Sequence, residues 1–334
     1  MLARSLLLAA VATAASATKI LLPLYEYSEA CWPELQEAAS QNPSLEFILI
    51  FNPNSGPVTD PEDPSLYCVP KLRALLPGST FVGYVRTGYG KRTPSDGLAE
   101  IEEYRSWKDI KVDDSGKTAA LDGIFFDEVL DEDSDKNHKL YQGYADAARS
   151  AFGEKGQSTI VMNPGLKVDE AFYAMADIVV PYETYFKDYH YPSSLPESSV
   201  LSSSAIMIHD FPTGSAGTAQ LPETVSQIVP AAAAIFLTDV SIDKEDVYQR
   251  FGDNWLSFTK LVAQYNGNSS SKSTAAEPSQ SRTADSNGSA SASAMSALVT
   301  GTQAKATVLS AVADQPMETS SGAGRLRPGR FFRR

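Results

Sequence analysis

Cysteine is almost missing from this chain. Two occur in 334 residues, Cys31 and Cys68, with no C-x-x-C and only three histidines, His138, His190 and His209. That argues against a zinc site, and no metal is expected. There is no G-x-x-x-x-G-K-[ST], no G-x-G-x-x-G after the first apolar run and no G-x-S-x-G. Phosphate cradles, dinucleotide folds and serine nucleophile elbows are therefore excluded on pattern, and no cofactor is expected. No apolar run is long enough to cross a bilayer, so no membrane span is expected. Basic charge is also short: 28 Lys and Arg face 41 Asp and Glu, a net of -13. The body is more acidic still, because residues from Asn266 onward carry eight basic side chains against four acidic ones. An acidic body speaks against nucleic acid as a partner and suits a neutral or cationic ligand.

What is present begins with a leader. Arg4, an apolar stretch over residues 6–11 and Ala15-Ser16-Ala17 have the order of a secretory signal. Residues 1–17 are set aside, and a secreted, extracellular or cell-wall location is expected. Two cysteines in an exported chain allow one intramolecular pairing, so a Cys31–Cys68 disulfide is expected. A hydrophobic content of 43% supports a real core. From residue 266 to 334 Ser, Thr, Ala and Gly dominate and periodicity stops, the composition of a disordered tail. Asn268 and Asn287 stand in glycosylation sequons. The chain is expected to be monomeric.

Between leader and tail, short apolar runs alternate with helical patterns. The runs are residues 19–25, 45–51, 80–85, 121–128, 158–162, 178–182, 205–208 and 235–237. Helical segments follow each, near 33–40, 64–76, 95–107, 137–152, 168–175, 193–201, 222–234 and 255–265. Alternation predicts a parallel sheet covered by helices. Eight units in about 250 residues match a (β/α)8 TIM-type barrel. An open doubly wound sheet is the alternative; the count of eight favours closure.

Polar residues follow almost every run, and in a barrel such positions converge on one face. The set is Tyr25; Asn52 and Asn54; Arg86 and Tyr89; Asp127 and Glu128; Asn163; Glu183 and Tyr185; His209 and Asp210; Asp239. Carboxylates, amides and aromatic hydroxyls suit a sugar: amides and acids bond ring hydroxyls, and aromatic rings pack on apolar sugar faces. Glycosidic cleavage needs one carboxylic acid for the leaving oxygen and one carboxylate for the oxocarbenium-like centre. Asp127, Glu128 and Glu183 can supply both. Neighbours on a strand face opposite sides, so Asp127 and Glu128 cannot both act unless the strand has ended. Glu183 is expected to be the acid, Asp127 the carboxylate facing positive charge, and Glu128 an orienting partner or a substitute for either. The acidic run Asp131 to Asp135 reads as a solvated loop, with calcium binding the alternative, although the EF-hand glycine and terminal glutamate spacing is missing.

The segments LLPLYEY, FNPNSGP, VGYVRTGYGKR, DGIFFDEV, MNPG and VPYETYF, in that order, resemble the spherulin 4-like, or spherulation-specific, family, classed as glycoside hydrolase family 135. The resemblance covers residues 19–264 and not the tail. It implies a (β/α)8 barrel and secreted endo-acting cleavage of α-1,4-linked N-acetylgalactosamine in galactosaminogalactan. It also implies catalytic roles for Asp127, Glu128 and Glu183. That amino-sugar polymer is partly deacetylated and therefore cationic, which an acidic groove would concentrate. The competing reading is a non-catalytic carbohydrate-binding or structural cell-wall or spore-coat protein that keeps the barrel without turnover.

Overall fold

The computed structural model describes residues 17–113, 116–244 and 247–274. The leader (apart from Ala17), the residues from 275 onward and the Asn287 sequon lie outside them. Eight strands form a closed parallel barrel in sequence order. They are β1 (Lys19–Leu24), β2 (Phe47–Phe51), β3 (Thr80–Arg86), β4 (Gly123–Asp127), β5 (Thr159–Met162), β6 (Ile178–Tyr185), β7 (Ser204–His209) and β8 (Ala234–Leu237). Ile20 pairs with Ile235 where β1 and β8 close the ring. The helices are α1 (Pro33–Gln41), α2 (Pro64–Leu75), α3 (Pro94–Ser106), α4 (Asp135–Phe152), α5 (Glu170–Met175), α6 (Ser198–Leu201), α7 (Gly214–Ile228) and α8 (Trp255–Thr274).

The strands are apolar throughout because both faces are covered. Every residue of β2 and of β4 is buried, as expected for strands with side chains on one face and helices on the other. In β4, Phe126 packs on Tyr144 of α4, the helix side. Phe125 instead stacks on Tyr84 of β3, the barrel side. The α4 stripe Tyr141, Tyr144, Ala145 and Ala148 is buried at helical spacing. Gly123 opens β4 because nothing larger fits: a Cβ there would lie 1.8 Å from the Thr159 carbonyl oxygen of β5. Replacing Gly123 by Ala is expected to cost about 1–3 kcal/mol, as overpacking against a rigid neighbour does. Denaturant midpoints measure this, and an unchanged midpoint would contradict the close approach.

Cys31 and Cys68 form a disulfide across 37 residues, tying the segment before α1 to α2. Thr18 is held at the barrel's start by Asn266 of α8, which donates to its carbonyl at 2.9 Å and accepts from its N–H at 3.0 Å. Several elements differ from the sequence reading. Helix α3 starts at Pro94, capped by Thr93, and ends at Ser106, one residue earlier at each end than the range 95–107. Helix α7 starts at Gly214, so Pro222 sits inside it rather than opening it. Strand β6 runs on to Tyr185 past a register shift between Val179 and Tyr182, where Pro181 breaks the pairing. Helix α8 continues beyond Tyr265 to Thr274, and Asn268 is exposed on it. Among the described residues no helix is long and apolar enough to cross a membrane.

Candidate active site

The site is built where β4, β5 and β6 end. Asp127 closes β4 on the barrel face, two residues beyond Phe125. The strand stops there. Glu128 takes a left-handed backbone, φ 52°, which turns the chain out of the sheet. Such a conformation is unusual for a residue other than glycine, and it lets two adjacent acids avoid opposite faces of one strand. The turn is held by Thr87, whose hydroxyl donates to the carbonyls of Asp127 (2.9 Å) and Glu128 (2.7 Å). The Tyr89 N–H adds a third bond, to the Glu128 carbonyl.

Asn163, after β5, joins the acids. Its side-chain nitrogen donates to Asp127 Oδ1 at 2.9 Å and to Glu183 Oε2 at 2.5 Å. Its oxygen accepts from the Gly165 N–H at 3.0 Å, which fixes which way the amide points. The β6 irregularity aims Glu183 here; its own N–H bonds the Gly165 carbonyl at 3.1 Å. Bulges beside active sites commonly re-aim a side chain in this way. Two tyrosines complete the pair's contacts. Tyr84 of β3 donates to Asp127 Oδ2 at 2.8 Å, and Tyr248, after β8, donates to Glu183 Oε1. The Tyr25 ring lies edge-on to both, 5.5 Å from Tyr84 and 5.4 Å from Tyr248.

Asp127 is 5% exposed. Burial, and next the Glu183 carboxylate beside it, push its pKa from 3.8 up to about 7, against the opposing hydrogen bonds from Tyr84 and the Glu128 N–H. Burial, followed by Asp127 for Tyr84 and Glu183 for Tyr248, holds both phenols far above their ordinary range, so they act as donors. Glu128 is buried and takes a 2.8 Å ion pair from the exposed Arg86. It faces Arg86 rather than the Asn163 amide.

A second group lies farther out along the same face of β6. Tyr185 is in register with His209 of β7, and their rings meet at 4.7 Å. The Tyr185 hydroxyl reaches Asp243 at 3.1 Å. His209 Nδ1 lies 2.8 Å from Asp210 Oδ2, and Asp210, also left-handed at φ 55°, accepts the Ile242 N–H. Burial raises the Asp210 pKa, but bonds from Ser241, His209 and Ile242 outweigh it and hold the carboxyl below its usual range.

The remaining candidates are placed less centrally. Asn52 is buried, accepting the Gly56 N–H at 3.0 Å and shaping its own loop; Asn54 is exposed on that loop. Asp239 makes no bond to the acid pair and lines the groove between α7 and α8. Sequence reasoning did not single out Tyr84 or Tyr248. Tyr84 could have been found, since it stands two residues before Arg86 on the same face of β3. Tyr248 lies in a loop that carries no periodic signal.

The model of the spherulation-specific family 4 matches residues 19–262. The chain belongs to this family. Spherulin-4 of Physarum polycephalum is 31% identical over 172 residues, 52% of this chain and 46% of that one. The aligned part thus spans less than half of that relative. Among solved structures, Aspergillus clavatus Sph3, crystallised in complex with GalNAc, is 27% identical with a TM-score of 0.63. The alignment covers 74% of this family member and 98% of Sph3, so the two share the barrel.

Proposed function

We propose that this family member is a secreted, monomeric glycoside hydrolase that cuts within amino-sugar polysaccharides, at α-1,4-linked N-acetylgalactosamine of galactosaminogalactan-like polymers. The observation that carries the reading is one amide: Asn163 holds Asp127 and Glu183 together from two different strands. Packing needs no such arrangement, since two carboxylates side by side disfavour folding by mutual repulsion. Hydrolysis does need it. Near neutrality the pair keeps one proton between its two members, so one can donate to the leaving oxygen while the other faces the developing positive charge. That proton is held at Asp127, the more deeply buried partner. Glu183 is partly exposed, which suits the member that must reach the leaving-group oxygen. For cleavage the proton must be delivered from the Glu183 side while Asp127 stands charged against the anomeric centre. Glu128, clamped by Arg86, orients the strand end rather than touching the reacting bond. The acetamido-bearing sugar in the Sph3 complex agrees with this choice of substrate.

Both acids contact one nitrogen, at 2.9 and 2.5 Å, so their facing oxygens lie no more than about 5.4 Å apart, within the retaining range and short of the inverting one. Inverting enzymes separate their carboxyls by roughly 6.5–9.5 Å, retaining ones by roughly 5–5.5 Å. Retention of anomeric configuration is therefore expected, with Asp127 as the attacking carboxylate, since in an α-linked sugar the acetamido group lies on the same face as the leaving oxygen and cannot attack from behind it. Incubation with the polymer should release reducing ends as oligosaccharides whose first-formed anomer, followed by proton NMR, is α. A β anomer would contradict the geometry, and no reducing ends would leave only a binding protein.

A further inference from the structure

The acidic loop that the sequence places before α4 meets a histidine and a third carboxylate. Asp133 lies in that loop, His138 in the first turn of α4, and Asp169 at the N-cap of α5. One ligand atom from each lies within 4.8 Å of the other two. The His138 ring stands edge-on to Phe172 of α5, at 5.5 Å, so packing sets its orientation. Its Nε2 is shut off from solvent and has no hydrogen-bond partner. An Asp133 carboxylate oxygen is 3.4 Å away, yet no hydrogen bond forms. For two ligands of a tetrahedral zinc ion, with bonds near 2.0–2.1 Å, the separation is roughly 3.3 Å.

The surroundings hold these groups in place beforehand. Ser134 caps α4 by accepting from the Asn137 N–H, and Asn137 donates to the Glu132 carbonyl at 2.9 Å, fixing the residues on either side of Asp133. Asp169 Oδ1 accepts the Ala171 N–H at 2.9 Å, leaving its second oxygen for another partner. His138 Nε2, itself shut off from water, makes no hydrogen bond and faces the Asp133 carboxylate at 3.4 Å, an arrangement that is satisfied when a positive centre lies between them.

The geometry points to a zinc-class divalent metal site at Asp133, His138 and Asp169, with water completing the shell. One imidazole and two carboxylates suit zinc better than calcium, which takes six to eight oxygens. The ion would staple the loop leaving β4, which starts at Glu128, to the loop leaving β5, which carries Asn163 and Gly165. It would thus steady both loops that position the acid pair without touching substrate.

The test is calorimetric titration of EDTA-stripped full-length protein with Zn2+, with thermal melting alongside. One ion per chain should bind and raise the melting temperature by several degrees. His138→Ala and Asp133→Asn should each weaken binding at least about tenfold, and each should lose the metal-induced rise in melting temperature measured against its own metal-free melt. Asp169→Asn preserves a good helix cap and should do the same. His209→Ala, which removes the other histidine–carboxylate pair, should leave binding intact, and excess Ca2+ should not displace Zn2+. Absence of saturable binding overturns the proposal, as does binding that survives His138→Ala or is lost only in His209→Ala.

Discussion

Asp127→Asn and Glu183→Gln should each reduce reducing-end release on the order of 10³-fold or more, with circular dichroism unchanged. The size follows from what each change removes. Loss of a positioned general acid or base costs roughly 10²–10⁴-fold, and the facing carboxylate stabilises an oxocarbenium-like transition state as well. Both replacements keep side-chain volume. Gln at 183 can still accept from Tyr248, and Asn at 127 can still accept from Tyr84, so the barrel has no reason to collapse. The double variant should be little worse than either single one, because the two act as a unit. Glu128→Gln should lose less, since its contact is with Arg86 and not with the shared amide. Activity retained in either Asp127→Asn or Glu183→Gln would remove that residue from the chemistry.

The barrel was readable because its strands obey a strong rule. Runs buried on both faces, such as FILIF in β2 and GIFFD in β4, are nearly continuous and end in polar residues. Each was followed by a helical pattern, and counting them reached eight. Reading failed where local chemistry carried a second meaning. The segment Gly214 to Gln220 is made of small and polar residues and looks like a loop, with Pro222 apparently opening a helix; packing of Leu221, Val225 and Ile228 makes the whole segment helical. The strand-end rule brought in Asp127, Asn163 and Glu183, which meet. It also brought in Asp239, which does not, because a strand's end fixes where a residue starts and not where the loop carries its side chain. Tyr248 was beyond reach for a related reason: its place beside Glu183 depends on how the segment after β8 folds back, which no repeat in the sequence encodes.

The acid pair should also leave a mark on stability. Asp127 titrates near 3.8 in an unfolded chain and at about 7 in the folded one, raised first by burial and then by Glu183. Below about pH 4 both states hold the proton, and the folded state's preference for it is fully realised. Between about pH 4 and 7 the unfolded state releases the proton while the folded state keeps it, so folding stability falls as pH rises. Above about 7 both have lost it and the penalty is constant. At about 1.4 kcal/mol per pKa unit the whole change is no more than about 5 kcal/mol. Asp127→Asn removes this titration. The variant should therefore gain on the wild type, in denaturant midpoint, as pH rises from 4 to 8. The donor–donor mismatch between its amide and Asn163 is the same at every pH and cancels from that slope. Glu183→Gln removes the neighbouring negative charge and should shift the wild-type inflection to lower pH without abolishing it. If wild type and Asp127→Asn kept parallel stability profiles across this window, the proton would not be held at Asp127, and the hydrolytic reading would lose the resting state on which its first step depends.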